Sequence, residues 1–237
     1  MANPVPDDID TKLRPLNDRA AGDCGTRPVT DQHRERLDAV LEIIRWTGAR
    51  RVIDAGCGDG PLIAALSADP GIEQITGFEP DPAARRRLAA TLGHMPAAQA
   101  RKIEVEPLSI LDTGPCHRGA DLVALVEVIE HIDIRDHRRL EQALFGDLAA
   151  GWTVVTTPNA EYNPVLGVPA HRRRHPDHRF EWTRAQFRRW AEGAARRHAQ
   201  SVAFADIVRP RPGIGGSSQM AVFRRAGRQA SQTPLSR

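Results

Sequence analysis

Cysteine is scarce in this chain of 237 residues: Cys24, Cys57 and Cys116 are an odd number, widely spaced and without a CxxC pair. That speaks against a disulfide scaffold and a cysteine zinc site, and for a reducing, cytoplasmic setting. Long apolar runs are missing too. None approaches the ~18–20 residues of a membrane span, so no membrane association is expected. The first thirty residues also lack the apolar centre of a signal peptide. With 41% hydrophobic and 27% charged residues, the composition is that of a globular chain with room for a sizeable core.

Lysine is rarer still. Lys12 and Lys102 stand alone against 31 arginines, a bias that genomic base composition mostly accounts for. The net charge is only +3, so the molecule as a whole is no polycation. Its distribution is uneven, however. Between His171 and His198, nine arginines face Asp177, Glu181 and Glu192. Such a surface suits phosphate groups, although taken alone it fits a solvated face equally well.

Residues 1–28 mix proline, glycine and charge without a sustained period and read as a flexible tail, as do residues 226–237. Residues 29–225 read as one domain. A helix is expected from an N-cap at Thr30 to Gly48, and helices over 61–66, 82–92, 136–148 and 184–198. Strands are expected over 51–55, 74–78, 102–106, 121–126, 152–156, 201–207 and 219–223. The uninterrupted run Asp121-Leu-Val-Ala-Leu-Val126 predicts a strand covered on both faces. Alternation of this kind predicts an α/β fold, a mostly parallel, doubly wound sheet with helices on both faces.

Chemistry enters at Asp54-Ala-Gly56-Cys-Gly58-Asp-Gly60, between a strand and a helix. Glycines there let the backbone approach a ligand at a helix N-terminus. Glu79, at the end of the next strand, is placed to accept from both hydroxyls of a ribose. A dinucleotide fingerprint has its third glycine three residues after the second. The GxGxG spacing found here instead resembles class I S-adenosylmethionine-dependent methyltransferases, a Rossmann-like fold. Ser109, after the third strand, stands where that fold usually lines the adenine.

A second signal is Glu127-Val-Ile-Glu130-His131, leaving the fourth strand. If the chain turns helical, positions i, i+3 and i+4 share a face and the three side chains converge. Adjacent carboxylates repel unless a cation lies between them, whereas with a divalent metal they are natural ligands. A third signal runs from Thr156-Thr-Pro-Asn-Ala-Glu-Tyr-Asn163 to Arg174-His-Pro-Asp-His-Arg-Phe-Glu-Trp-Thr183. A zinc reading of His171, His175 and His178 meets prolines at 169 and 176, which break any helix presenting all three.

Together these stretches, with the closing Gly215-Gly-Ser-Ser-Gln-Met-Ala-Val-Phe-Arg-Arg225, resemble the Hen-type small-RNA methyltransferases. The resemblance runs from about Arg34 to Arg224. It implies methyl transfer from S-adenosylmethionine to the 2′-hydroxyl of the 3′-terminal ribose of RNA. It also implies a divalent metal, magnesium or manganese, on Glu127, Glu130, His131 and His178, and cofactor positions at Asp54, Gly56, Gly58, Glu79 and Ser109. The ion is expected to touch the 2′ and 3′ oxygens of a free terminal diol, with residues 158–183 forming a basic lid. His175, His178 or His131 could receive the proton; a metal-bound imidazole is a poor base, which ranks His175 or solvent ahead. The arginines at 172–174, 179, 184, 188 and 189 would hold phosphates, and Tyr162 and Trp182 would stack on a base or pack the lid. Glu79 replaces the family's more frequent aspartate at no cost in chemistry. Extra RNA-binding modules are missing from this sequence, which leaves RNA choice to the domain itself or to an RNA end-repair partner. Rival readings are a metal-dependent O-methyltransferase for a small diol, a nicotinamide oxidoreductase, and a non-catalytic RNA-binding protein on the same fold.

Overall fold

The computed structural model describes residues 7–18 and 29–226. From the N-terminus the elements are α1 (Asp7–Asp18), α2 (Val29–Thr47), β1 (Arg51–Ala55), α3 (Pro61–Ser67), β2 (Gln74–Phe78), α4 (Pro82–Leu92) and the short α5 (Ala97–Ala100). Then come β3 (Ile103–Glu106), β4 (Leu122–Val126), α6 (His137–Glu141), β5 (Trp152–Pro158), α7 (Arg184–Arg197), β6 (Gln200–Ile207) and β7 (Ser218–Arg225). The seven strands form one sheet in the order β3-β2-β1-β4-β5-β7-β6. The first five are parallel, and β7 runs antiparallel to both its neighbours.

Successive side chains of a strand point to opposite faces, and β4 shows what that achieves. Leu122 and Ala124 join one buried cluster with Val40 and Ile44 of α2 and Leu62 and Leu66 of α3. Val123 and Leu125 join the other, with Leu140 of α6 and Phe187 and Ala191 of α7. A strand sealed on both faces has no solvent side, which explains its unbroken apolar run. The connections leave β1 toward β2 on one side, while β4 lies on the other. That reversal opens a crevice at the carboxyl ends of β1 and β4, where doubly wound sheets bind ligands.

Three expectations need correction. Residues 7–18, expected in a tail, form α1, whose Ile9, Leu13 and Leu16 (i, i+4, i+7) are buried in the α2–α3 core. Asn17 Oδ1 accepts from the Asp206 N–H of edge strand β6 at 2.8 Å, and Lys12 pairs with Glu42 of α2. The helix expected over 136–148 is broken: α6 stops at Glu141 and continues as a π-helical segment, Gln142–Leu148, closed by Ala149 in the left-handed region. Thr30 lies inside α2 rather than ahead of it. The remaining residues of both expected tails, with Cys24, fall outside the described residues, Ala226 excepted. Among the described residues no helix is long and apolar enough to cross a membrane.

Candidate active site

The turn after β1 is built by left-handed glycines, Gly56 at φ +82° and Gly58 at φ +54°. A Cβ on Gly56 would lie 2.6 Å from Val128 Cγ2, so the glycine lets the Glu127–His131 segment pack directly on the turn. A Cβ on Gly58 would meet nothing within 4 Å. It would project toward a cavity of about 500 Å³, lined by His33, Leu37, Asp54, Gly56, Gly58 and Val126 among others. Glu79 ties this turn to the next: Oε2 accepts from the Gly58 N–H at 2.9 Å and Oε1 from the Asp81 N–H at 2.8 Å. Asp54 is buried, and burial with the nearby Glu79 charge pushes its carboxyl up to about 7. Ser109 sits apart from the cavity wall, its Oγ accepting from the Leu111 N–H at the turn after β3.

Across the crevice, Glu130, His131 and His178 each offer a ligand atom, all within 4.8 Å of one another. The two segments that supply them are joined by backbone: the Arg179 N–H donates to the Glu130 carbonyl at 2.7 Å. His131 Nδ1 lies 3.3 Å from the Asp177 carbonyl. A carbonyl only accepts, so the proton is on Nδ1 and the lone pair on Nε2. Burial, then the neighbouring His178, hold the His131 pKa below the ordinary imidazole value. Glu130 is fully buried; Oε2 accepts from Thr157 Oγ1 at 3.0 Å and Oε1 has no partner. Burial, then the Glu127 charge, raise its pKa well above that of an ordinary carboxylate. An orphaned carboxylate oxygen beside two imidazoles fits a divalent cation, for which mixed oxygen and nitrogen donors are suited.

Glu127 does not join this group. Its backbone is left-handed, φ +55°, and its N–H is held by the Thr156 carbonyl and hydroxyl. The helical turn begins only at Ile129, so the i, i+3 geometry expected for Glu127 and Glu130 does not arise. Its Oε1 instead meets Arg36 Nε at 3.2 Å and Thr156 Oγ1 at 3.0 Å. His175 is exposed beside the group, with ring centroids 5.6 Å from His178 and 6.1 Å from His131.

The lid is more braced than its arginine content implied. Arg174, expected on phosphate, is partly buried and donates to Asn163 Oδ1 (2.6 Å), to the Ser217 carbonyl (2.7 Å) and to the Asn159 carbonyl. Arg184 pairs with Glu161 and Asp206, and Arg188 lies over the Phe204 ring. Arg172, Arg173, Arg179 and Arg189 are exposed. Tyr162 is buried with its hydroxyl donating to the Arg209 carbonyl, and Trp182 packs at tilted angles on Phe180 and Trp190 and edge-on to His137. Both aromatics pack the protein. Charge and motif do not mark Arg174 and Glu181 as site-building residues; the HxxE spacing of His178 and Glu181, ring and carboxylate three residues apart, is the one trace they leave in the sequence.

The sheet, the reversal point and the glycine turn define the class I methyltransferase fold. The profile of the Methyltransferase domain family matches residues 11–195. The methyltransferase domain of bacterial CtHen1, solved by crystallography, superposes with a TM-score of 0.74 at 32% identity, covering 81% of this chain and 99% of that one. The small RNA methyltransferase HEN1 structure gives 0.73 at 28% identity, covering 87% of this chain and 28% of that one. Chicken (Gallus gallus) small RNA 2′-O-methyltransferase is 33% identical over 201 residues, 81% of this chain and 53% of that protein. This chain belongs to the methyltransferase-domain family and, within it, to the Hen1-type small-RNA methyltransferases. It spans about half the length of the curated vertebrate relatives it matches.

Proposed function

We propose that this chain transfers a methyl group from S-adenosylmethionine to the 2′-hydroxyl of the 3′-terminal ribose of RNA. The observation that carries the reading is the convergence of Glu130, His131 and His178 on a segment packed against the Gly56 turn. Val128, between Glu127 and Ile129, packs on Gly56, which also lines the cavity of about 500 Å³; this supports reading the three side chains as a cation site next to the cofactor.

When bound, S-adenosylmethionine supplies the methyl and a divalent ion, magnesium or manganese, supplies Lewis acidity to a vicinal diol. In this reading Glu130, His131 and His178 would hold the ion, and Glu127, which faces Arg36 and Thr156 here, would be its fourth ligand by the family resemblance. Asp54 and Glu79 bind and orient the donor, Glu79 through a ribose and Asp54 through its buried carboxylate. Ser109 borders the adenine. His175, exposed and unencumbered by carboxylates on its ring other than Asp177, takes the proton released from the attacking hydroxyl. Arg172, Arg173 and Arg179 receive the phosphates leading to the terminus, which positions the strand without reading its sequence. That exposed basic rim favours RNA over a small diol. An RNA end-repair partner and a cytoplasmic setting remain parts of this proposal that rest on the family resemblance and the cysteine pattern.

The test uses tritiated S-adenosylmethionine with manganese and two RNAs, one ending in 2′,3′-hydroxyls and one in a 2′-hydroxyl with a 3′-phosphate. Label is expected only in the first, whose end then resists periodate. Equal labelling of both, or full activity in chelator, refutes the reading. Replacing His178 by alanine should abolish transfer while leaving S-adenosylhomocysteine binding intact.

A further inference from the structure

Glu181 lies three residues beyond His178, and its side chain is 4% exposed. It accepts three hydrogen bonds. Oε1 takes His178 Nδ1 at 2.6 Å and the Arg174 N–H at 2.7 Å, and Oε2 takes Asn163 Nδ2 at 2.6 Å. With the Arg174 N–H and the Asn163 amide already donating to it, this carboxylate is the acceptor, so the shared proton belongs to Nδ1 and His178 Nε2 keeps its lone pair. The His178 main chain is held as well, its carbonyl accepting from the Arg173 guanidinium at 2.8 Å. Arg174, which supplies one of the donors, is itself locked by Asn163, Ser217 and Asn159.

We propose that Glu181 is the positioning residue of the metal centre: it selects the Nδ1–H tautomer of His178 and aims Nε2 at Glu130 and His131, with Asn163 and Arg174 holding Glu181 in place. The inference rests on Glu130, His131 and His178 being metal ligands. A carboxylate behind a ligating imidazole orients the ring and strengthens it as a donor, and losing such a partner typically costs roughly 10–100-fold in metal affinity. The arrangement also gives the lid a reason for its half-buried arginine, Arg174. Asn163, Arg174, His178 and Glu181 all belong to residues 158–183, so the fold of that segment is what delivers the one ligand remote in sequence from the other two.

Two measurements on the full chain test this. Manganese affinity is read from the electron paramagnetic resonance signal of the free ion, for wild type, Glu181→Gln, Glu181→Ala and the exposed control Glu192→Gln. Glu181→Ala is expected to weaken binding roughly 10–100-fold. Glu181→Gln keeps an acceptor without the charge and is expected to fall between, with kcat recovering at saturating manganese. The second measurement is ¹⁵N NMR of the metal-free protein, which should find His178 protonated on Nδ1 in the wild type and a mixed or reversed tautomer in Glu181→Ala. Should alanine prevent folding, the glutamine variant carries both readouts. Wild-type manganese affinity in a folded Glu181 variant overturns the inference. Failure of the wild type itself to bind manganese overturns the metal reading instead.

Discussion

Replacing Glu130 by glutamine is expected to stabilise the metal-free protein while removing its response to metal. Glu130 is fully buried with one oxygen on Thr157 and the other orphaned. Its folded pKa is raised by burial first and by Glu127 second. A group with a raised folded pKa stabilises the fold fully only below its unfolded value, and the contribution is lost as pH climbs through the folded one. Metal-free wild type therefore loses stability from acid toward neutral pH, by up to ~1.4 kcal/mol per pH unit for this one proton. Glutamine is neutral throughout. It keeps an oxygen for Thr157 and puts an amide, in place of a second negative charge, near Glu127.

An unsatisfied buried polar group costs about 1–3 kcal/mol, and more when charged. The glutamine variant should thus gain about 1–3 kcal/mol at neutral pH, with the gap closing toward acid. At ~2–4 °C of melting temperature per kcal/mol for a domain of this size, that is a rise of roughly 2–12 °C in chelator. Manganese binds only the folded state, so it should raise the wild-type melting temperature and leave the variant unmoved. Thermal melts between pH 5 and 8, with chelator and with manganese, read both effects. If the variant melts below wild type at neutral pH without metal, Glu130 is not an uncompensated charge. If manganese lifts both proteins equally, it is not a ligand.

Two further outcomes concern the cofactor cavity. With Asp54 pushed up to about 7, a cationic ligand must displace its proton; wild-type affinity for S-adenosylmethionine should fall by up to about tenfold per pH unit below 7, and the Asp54→Asn profile should be flat by calorimetry. Gly58→Ala puts a methyl into open space at φ +54°. It should cost about 1–2 kcal/mol of stability yet weaken cofactor binding by more than tenfold; undiminished binding would show that the donor lies elsewhere.

Much of this architecture is legible in the residues because its causes are local. The β4 run is continuous because both faces are covered, and the glycines after β1 mark a turn that only glycine makes at low cost. Helix α1 is less legible. Its stripe of Ile9, Leu13 and Leu16 is only three residues long and is interrupted by Pro15. What orders it is a strand almost two hundred residues away, through Asn17 and Asp206. The π-helical segment after Glu141 leaves no mark in apolar spacing either.

The site divides along the same line. Residue type and motif single out Glu130, His131 and His178, and the fold brings them together. Helical spacing gave Glu127 the same standing, but one left-handed residue turns that side chain toward Arg36. That backbone is held by Thr156 in the neighbouring strand, a contact that spacing around Glu127 does not announce. The arginine-rich lid makes the point in reverse. Counting charge assigns Arg172, Arg173, Arg174, Arg179 and Arg184 to one task, while their partners separate them. Arg174 and Arg184 brace the lid against Asn163 and Glu161, Arg173 is exposed but also holds the His178 carbonyl, and Arg172 and Arg179 are exposed toward solvent. A charge run in sequence therefore overstates the phosphate-facing surface. What it understates is how much of the lid surrounds a single histidine, His178, which here has a buried carboxylate and a half-buried arginine behind it.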